Sequence, residues 1–160
     1  MDEATTRLET LYRDVGPGLL AYLRRCCREP QAAEDLLQET FLGAARRIER
    51  LLKAVSPRAW LYAIARNVAV THLRRRRPTR PMPADIAATA PTAASDELEP
   101  VRRAIAELPE PLRETLELRL GADLSYAEIA EVLEIPVGTV RSRLHHALQR
   151  VRAAAVTDPE

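Results

Sequence analysis

The residues of this 160-residue chain that could do chemistry are arginine, histidine and cysteine, and their spacing favours binding over catalysis. Arg74, Arg75, Arg76 and Arg77 are consecutive, so on a helix they point in every direction. Such a run suits phosphate contacts, which give affinity and salt dependence without reading sequence, although charge runs also occur as solubilising segments. Cys26 and Cys27 are adjacent, with no C-x-x-C spacing, and read as two small hydrophobes rather than a disulfide framework or zinc site. His72, His145 and His146 lack the carboxylate or cysteine partners of a metal or catalytic site. No nucleophile–base constellation or glycine-rich phosphate loop occurs. The expectation is a protein that is not an enzyme, with no catalytic residues, metal, cofactor or small-molecule substrate.

Charge distribution sharpens this. The formal net charge is only +1, yet residues 57–84 hold seven arginines and no acid, and residues 135–157 hold four arginines and no acid. Between them, residues 96–134 hold eleven acids against four arginines. Two basic stretches separated by an acidic one imply two contacts with a polyanion. No apolar run is long enough to span a membrane and no signal pattern is present, so a cytoplasmic protein without membrane insertion is expected.

The elements that must position these groups follow from periodicity. From Leu124 to Arg152 the chain reads as two helices joined by a sharp turn. Ser125 and Glu128 form the S-x-x-E capping box of the first, whose apolar positions are Ile129, Ala130 and Leu133. Pro136 ends it, and Glu134 stands where a glycine would best take a left-handed conformation. The second helix carries Val140, Leu144, Leu148 and Val151 on one face. Ser142, His145, His146 and Gln149 lie opposite, flanked by Arg141 and Arg143. That is the helix-turn-helix pattern, in which the second helix enters the major groove. An ordinary helical hairpin would show the same periodicity with a merely solvated polar face.

Upstream, residues 5–28 predict two short helices broken at Gly16-Pro17-Gly18. A helix from Pro30 to about Leu52 exposes Glu34, Asp35, Gln38 and Glu39. Those groups either complement the helix dipole or form a docking face for a basic partner. Ser56-Pro57 opens a helix to about Arg77 with Trp60, Leu61, Ile64, Ala65, Val68 and Leu73 inward, Trp60 as core. Residues 78–95 hold four prolines and little to bury, which predicts a flexible linker. The expected fold class is therefore all-α, with small helical domains at 1–77 and 96–156.

Three stretches carry a family resemblance: Ala33–Leu42 (AEDLLQETFL), Pro57–Arg77 (PRAWLYAIARNVAVTHLRRRR) and the block from Leu108 through the helix-turn-helix. In this order the chain resembles a sigma-70-family RNA polymerase sigma factor of the extracytoplasmic-function (ECF) group. The resemblance implies a promoter-specificity subunit that binds core RNA polymerase and directs transcription initiation, under control of an anti-sigma factor. It assigns Asp35, Leu36, Gln38 and Glu39 to the clamp coiled coil of the largest subunit, with the polymerase flap as a further contact. It assigns Arg58, Arg66, Asn67 and Arg74 to Arg77 to the minus-ten element. It assigns Thr139, Arg141, Ser142, Arg143, His145 and His146 to the minus-thirty-five element of promoter DNA. Gly43-Ala44-Ala45 stand where the family commonly has Arg-Ala-Trp, and Pro57 where an aromatic is common. A stand-alone helix-turn-helix regulator and a sigma-like decoy remain alternatives at this point.

Overall fold

A computed structural model describes residues 2–27, 29–76 and 96–157. Its secondary structure is helical, with no strand among the described residues. The elements are α1 (Glu3–Cys26), α2 (Pro30–Arg46), α3 (Ile48–Lys53) and α4 (Pro57–Arg75), then a 3-10 turn (Asp96–Leu98), α5 (Glu99–Ala106), α6 (Glu110–Leu120), α7 (Tyr126–Leu133) and α8 (Val137–Thr157). They form two units, the first holding α1 to α4 and the second α5, α6, α7 through Ala130, and α8. The linker expected at 78–95 lies outside the described residues.

Proline starts four of the helices. Pro30, Pro57, Pro100 and Pro111 occupy the first turns of α2, α4, α5 and α6, where a missing N–H costs nothing. Ser56 caps α4 by accepting from the amide of Ala59 at 3.1 Å.

In the first unit α1, α2 and α4 pack pairwise, and α3 touches both α2 and α4. Leu19, Tyr22 and Leu23 of α1, Ala33, Leu36 and Phe41 of α2, and Leu61, Tyr62 and Ala65 of α4 are buried. Burying each large apolar side chain contributes roughly 1.5–3 kcal/mol. Thr40 is buried within α2 and donates its hydroxyl to the Leu36 carbonyl at 2.7 Å, so it leaves no unmet polar group. In the second unit α8 packs on α5 and α6, around Ala104, Leu116, Leu118, Val140, Leu144 and Ala147.

The structure corrects several expectations. Gly16-Pro17-Gly18 does not break the chain, because α1 runs through it as one helix. The residue before a proline is normally driven out of the α region by a clash involving its Cβ, and Gly16 has none. Packing then favours continuity, since Val15, Gly16, Leu19, Tyr22 and Leu23 form one buried stripe. Conversely, the helix expected from Pro30 to Leu52 divides at Arg47 (φ −120°, ψ 33°). No glycine or proline stands there, so the break is set by α3 packing against two partners and burying Leu51. In α4, Trp60 is half-buried and Leu73 exposed, while Tyr62 takes the core position. In α8, Leu148 is 40% exposed and Ala147 takes its place inside. The small side chain suits the close approach of α5 and α6 better than a leucine would.

Two backbone details are decisive. An ideal Cβ on Gly18 would stand 2.8 Å from the Tyr62 hydroxyl, whereas one on Gly43 would meet only Ile64 Cγ2 at an ordinary 3.6 Å. Glu134 ends α7 in the left-handed region (φ 54°, ψ 46°), its amide bonding back to the Ala130 carbonyl. That conformation costs a non-glycine residue roughly 1–2 kcal/mol.

Gly18→Ala should lower stability by about 1–2 kcal/mol, the overpacking exceeding the gain in helix propensity. Adding Tyr62→Phe should restore part of that loss, and Gly43→Ala should instead stabilise by about 0.5–1 kcal/mol. Urea unfolding midpoints check all three. Glu134→Gly should raise the melting temperature of the second unit, by the equivalent of about 1 kcal/mol. Calorimetry showing an unchanged or lower value would refute the strain.

Candidate functional site

Each group of predicted residues can be placed on its element. On α2, Asp35, Gln38 and Glu39 are exposed on one face, with Leu42 one turn further, 58% exposed. Leu36 does not share that face: it is 3% exposed and points into the bundle, because the i, i+4, i+8 row Leu36, Thr40, Ala44 is the packing stripe. The α2 surface is therefore two carboxylates and an amide around one bare leucine. Sequence reasoning passed over Leu42, although its spacing of four residues from Gln38 and three from Glu39 marks it as part of the face.

On α4, Asn67, Arg74 and Arg75 are exposed, and Arg58 and Arg66 are half-buried. Arg76 caps the helix and forms an ion pair of 2.7 Å with Glu29, at the start of α2. A side-chain hydrogen bond from Arg76 holds the Glu29 carboxyl below its usual range. Both groups are exposed, so the pair ties two helix ends together with little net stabilisation. It also neutralises one charge of the arginine run. Arg77 lies outside the described residues. Before α4, in the loop of about Lys53 to Ser56 that the family resemblance also assigns to the minus-ten element, Val55 is a fully exposed apolar side chain. Cys27 is buried and Cys26 half-buried. Burial raises the Cys27 thiol pKa, opposed by nearby Arg76, which disfavours the reactive thiolate.

On α8, Arg141, Ser142, His145 and His146 are exposed, and Thr139 and Arg143 are half-buried. The helix thus splits cleanly, with Val140, Leu144 and Ala147 buried on the other side. The His145 and His146 rings lie 5.9 Å apart. The entry to the helix pair is held from α6. Arg119 donates to the Leu124 carbonyl at 3.1 Å, pairs with Asp123 at 3.6 Å and lies over the Tyr126 ring at 5.6 Å. Asp123 is left-handed (φ 52°), a conformation its short polar side chain tolerates. The capping box then starts α7: the Glu128 amide donates to Ser125 Oγ at 3.1 Å, and the Ser125 amide donates to Glu128 Oε1 at 3.0 Å.

An amphipathic helix with a carboxylate-free outer face, preceded by a capped short helix and a tight left-handed turn, can enter a nucleic-acid groove. A second helix without carboxylates can line a phosphate backbone. Among the described residues, no group of histidine, cysteine, aspartate and glutamate could hold a metal, and no helix is long and apolar enough to cross a membrane.

Comparison with known proteins agrees in both order and extent. The model of Sigma-70 region 2 matches residues 11–79, and that of Sigma-70, region 4, matches residues 98–151. The RNA polymerase sigma-H factor of Pseudomonas aeruginosa is 36% identical over 154 residues, covering 85% of this chain and 79% of that protein. The ECF RNA polymerase sigma factor SigC of Mycobacterium tuberculosis is 40% identical over 133 residues, covering 79% of this chain and 72% of that protein. A solved structure of the sigma factor RpoE in complex with the anti-sigma factor NepR, from Bartonella quintana, shares the fold with a TM-score of 0.72 at 22% identity. It covers 94% of this chain and 98% of that one. Two matching regions in the right order and relatives of this identity over most of both chains place the protein in the sigma-70 family, as an RNA polymerase sigma factor of the ECF group.

Proposed function

We propose that this sigma subunit reads promoters at two places, with α4 at the minus-ten element and α8 at the minus-thirty-five element, while α2 docks on core polymerase. The observation that carries this is the division of α8, whose Arg141, Ser142, His145 and His146 stand free while Val140, Leu144 and Ala147 are buried. Residues 1–77 form the core-binding and minus-ten domain, 78–95 the linker and 96–156 the minus-thirty-five domain.

On α8, Arg141 and Arg143 reach guanine edges or phosphates, with Thr139, Ser142, His145 and His146 along the same groove. On α4, Arg58, Arg66 and Asn67 follow the melted strand and Arg74, Arg75 and Arg77 clamp phosphates. Asp35, Gln38 and Glu39 face the clamp coiled coil of the largest polymerase subunit, with Leu42 as the apolar centre of the contact. Leu36 supports that surface from beneath. The protein has no enzymatic activity of its own, acts in the cytoplasm and is restrained by an anti-sigma factor. Support for the last point is the RpoE–NepR complex, in which a similarly folded sigma factor is bound by one.

The test is promoter-directed transcription by purified bacterial core polymerase, with and without this chain, on a pool of upstream genomic fragments. Discrete new start sites are expected. Asp35→Arg with Glu39→Arg should abolish them and lower core affinity at least tenfold, read by competition binding. Sequence-specific DNA binding without polymerase, unaffected by that double reversal, would indicate a stand-alone regulator instead. Arg74→Ala or Arg75→Ala should weaken the promoter complex on all sequences alike and reduce the slope of log affinity against log salt by about 0.7–0.9. Arg76→Ala should change that slope less, since Glu29 already neutralises its charge.

A further inference from the structure

Arg25 is among the arginines of the first unit that the sequence assigned to nothing. Arg25 follows Gly18 and Tyr22 at seven and three residues' spacing, which puts it on the stripe of α1 that meets α4 at Tyr62. Its Nε and Nη2 are enclosed and have no hydrogen-bond partner among the described residues. Burying such donors without acceptors incurs their desolvation with no return. The other arginines on these helix ends are treated differently. Arg24 lies 3.9 Å from Glu34, and Arg76 lies 2.7 Å from Glu29.

The neighbourhood makes the charge worse. Burial pushes the Tyr62 phenol up, and the fields of Arg58 and Arg25 oppose that shift, so both guanidiniums act on one hydroxyl. The helix α4, against which α1 packs, carries arginines and no carboxylate along its whole length, as does the chain from 57 to 84. A half-buried guanidinium with two enclosed donors left without acceptors, beside another cation, departs from the rule that enclosed polar groups are hydrogen-bonded. Uncompensated violations of this kind mark functional positions.

We propose that Arg25 is a DNA contact, held unpaired in the α1–α4 seam so that its long side chain can swing out onto a backbone phosphate of the strand lying along α4. This deepens the sigma-factor reading and rests on it. A phosphodiester fits better than a protein carboxylate because the adjacent surface of α4 is basic over several turns, which suits a polyanion. A single carboxylate would need one pairing site only. Bound phosphate supplies the acceptors that the folded chain withholds, and the bond is charge-assisted.

The experiment separates this from a structural role. Arg25→Met keeps the stem and removes the unmet donors, so its melting temperature should equal or exceed that of the wild type. Holoenzyme carrying it should bind the promoter fragment mapped in the transcription assay about tenfold more weakly, with the salt slope reduced by about 0.7–0.9. Arg25→Lys, which keeps a charge without the fork, should restore most of the slope. A fall in melting temperature or loss of folding in Arg25→Met, with a folded, neutral Arg25→Gln keeping the full wild-type salt slope, would make Arg25 a core residue and overturn the proposal. Weakened binding to core polymerase with the promoter slope unchanged would do the same, assigning Arg25 to a protein carboxylate. Wild-type holoenzyme forming no promoter complex would sink the sigma-factor reading itself, whereas an unaffected variant beside a competent wild type would sink only the role of Arg25.

Discussion

Tyr62 lies flush over Gly18, and that contact fixes how closely α1 and α4 approach in the first unit. With no side chain at Gly18, the phenol can lie down in the seam with its ring 5.6 Å, edge to face, from that of Tyr22. Once that side of α4 is committed inward with Leu61, Ala65 and Ala69, helical phase alone sends Asn67, Thr71, Arg74 and Arg75 outward. The basic surface is thus a consequence of the packing. Any shift of the seam would rotate every one of those side chains together.

Charge is allocated with the same economy. Carboxylates pair with Arg24 and Arg76, which join neighbouring helix ends, while Arg74 and Arg75, facing outward from α4, meet none among the described residues. On α2 the arrangement is inverted, with Asp35, Glu39 and Gln38 exposed around Leu42. One helical bundle therefore presents an acidic face and a basic one. That suits simultaneous contact with a protein and with a nucleic acid, because each surface repels the other's partner.

The second unit solves a different problem, which is to fix the angle of a short helix before a long one. Two non-glycine residues adopt left-handed conformations there, Asp123 before α7 and Glu134 after it. Arg119 stabilises the first by binding the Leu124 carbonyl and the Asp123 carboxylate. The second is held by the bonds from Glu134 and Ile135 to the Ala130 carbonyl. Backbone strain at both ends of α7 is what keeps the pair compact, and it persists because the surrounding bonds over-determine it.

Much of this was legible in the chain itself. Ser125 with Glu128, Ser56 with Pro57, and the period of Val140 and Leu144 each state a local preference that the fold obeys, because caps and helical phase depend only on near neighbours. The left-handed turn at Glu134 was readable for the same reason. Tertiary packing alone decided the rest. Gly16-Pro17-Gly18 reads as a turn until a buried stripe holds it helical, and Arg47 breaks a helix with no breaker in sight because α3 has two partners to reach. Ala147 displaces Leu148 from the core, and Leu36 leaves the acidic face of α2 for the bundle interior, since which side of a helix is inside is settled by its neighbours. The sequence by itself determined the helices, their caps and the basic and acidic segments, because those are local. Only the tertiary structure decided which arginines are paired and which stand unmet, because an ion pair such as Arg76–Glu29 joins residues far apart in the chain.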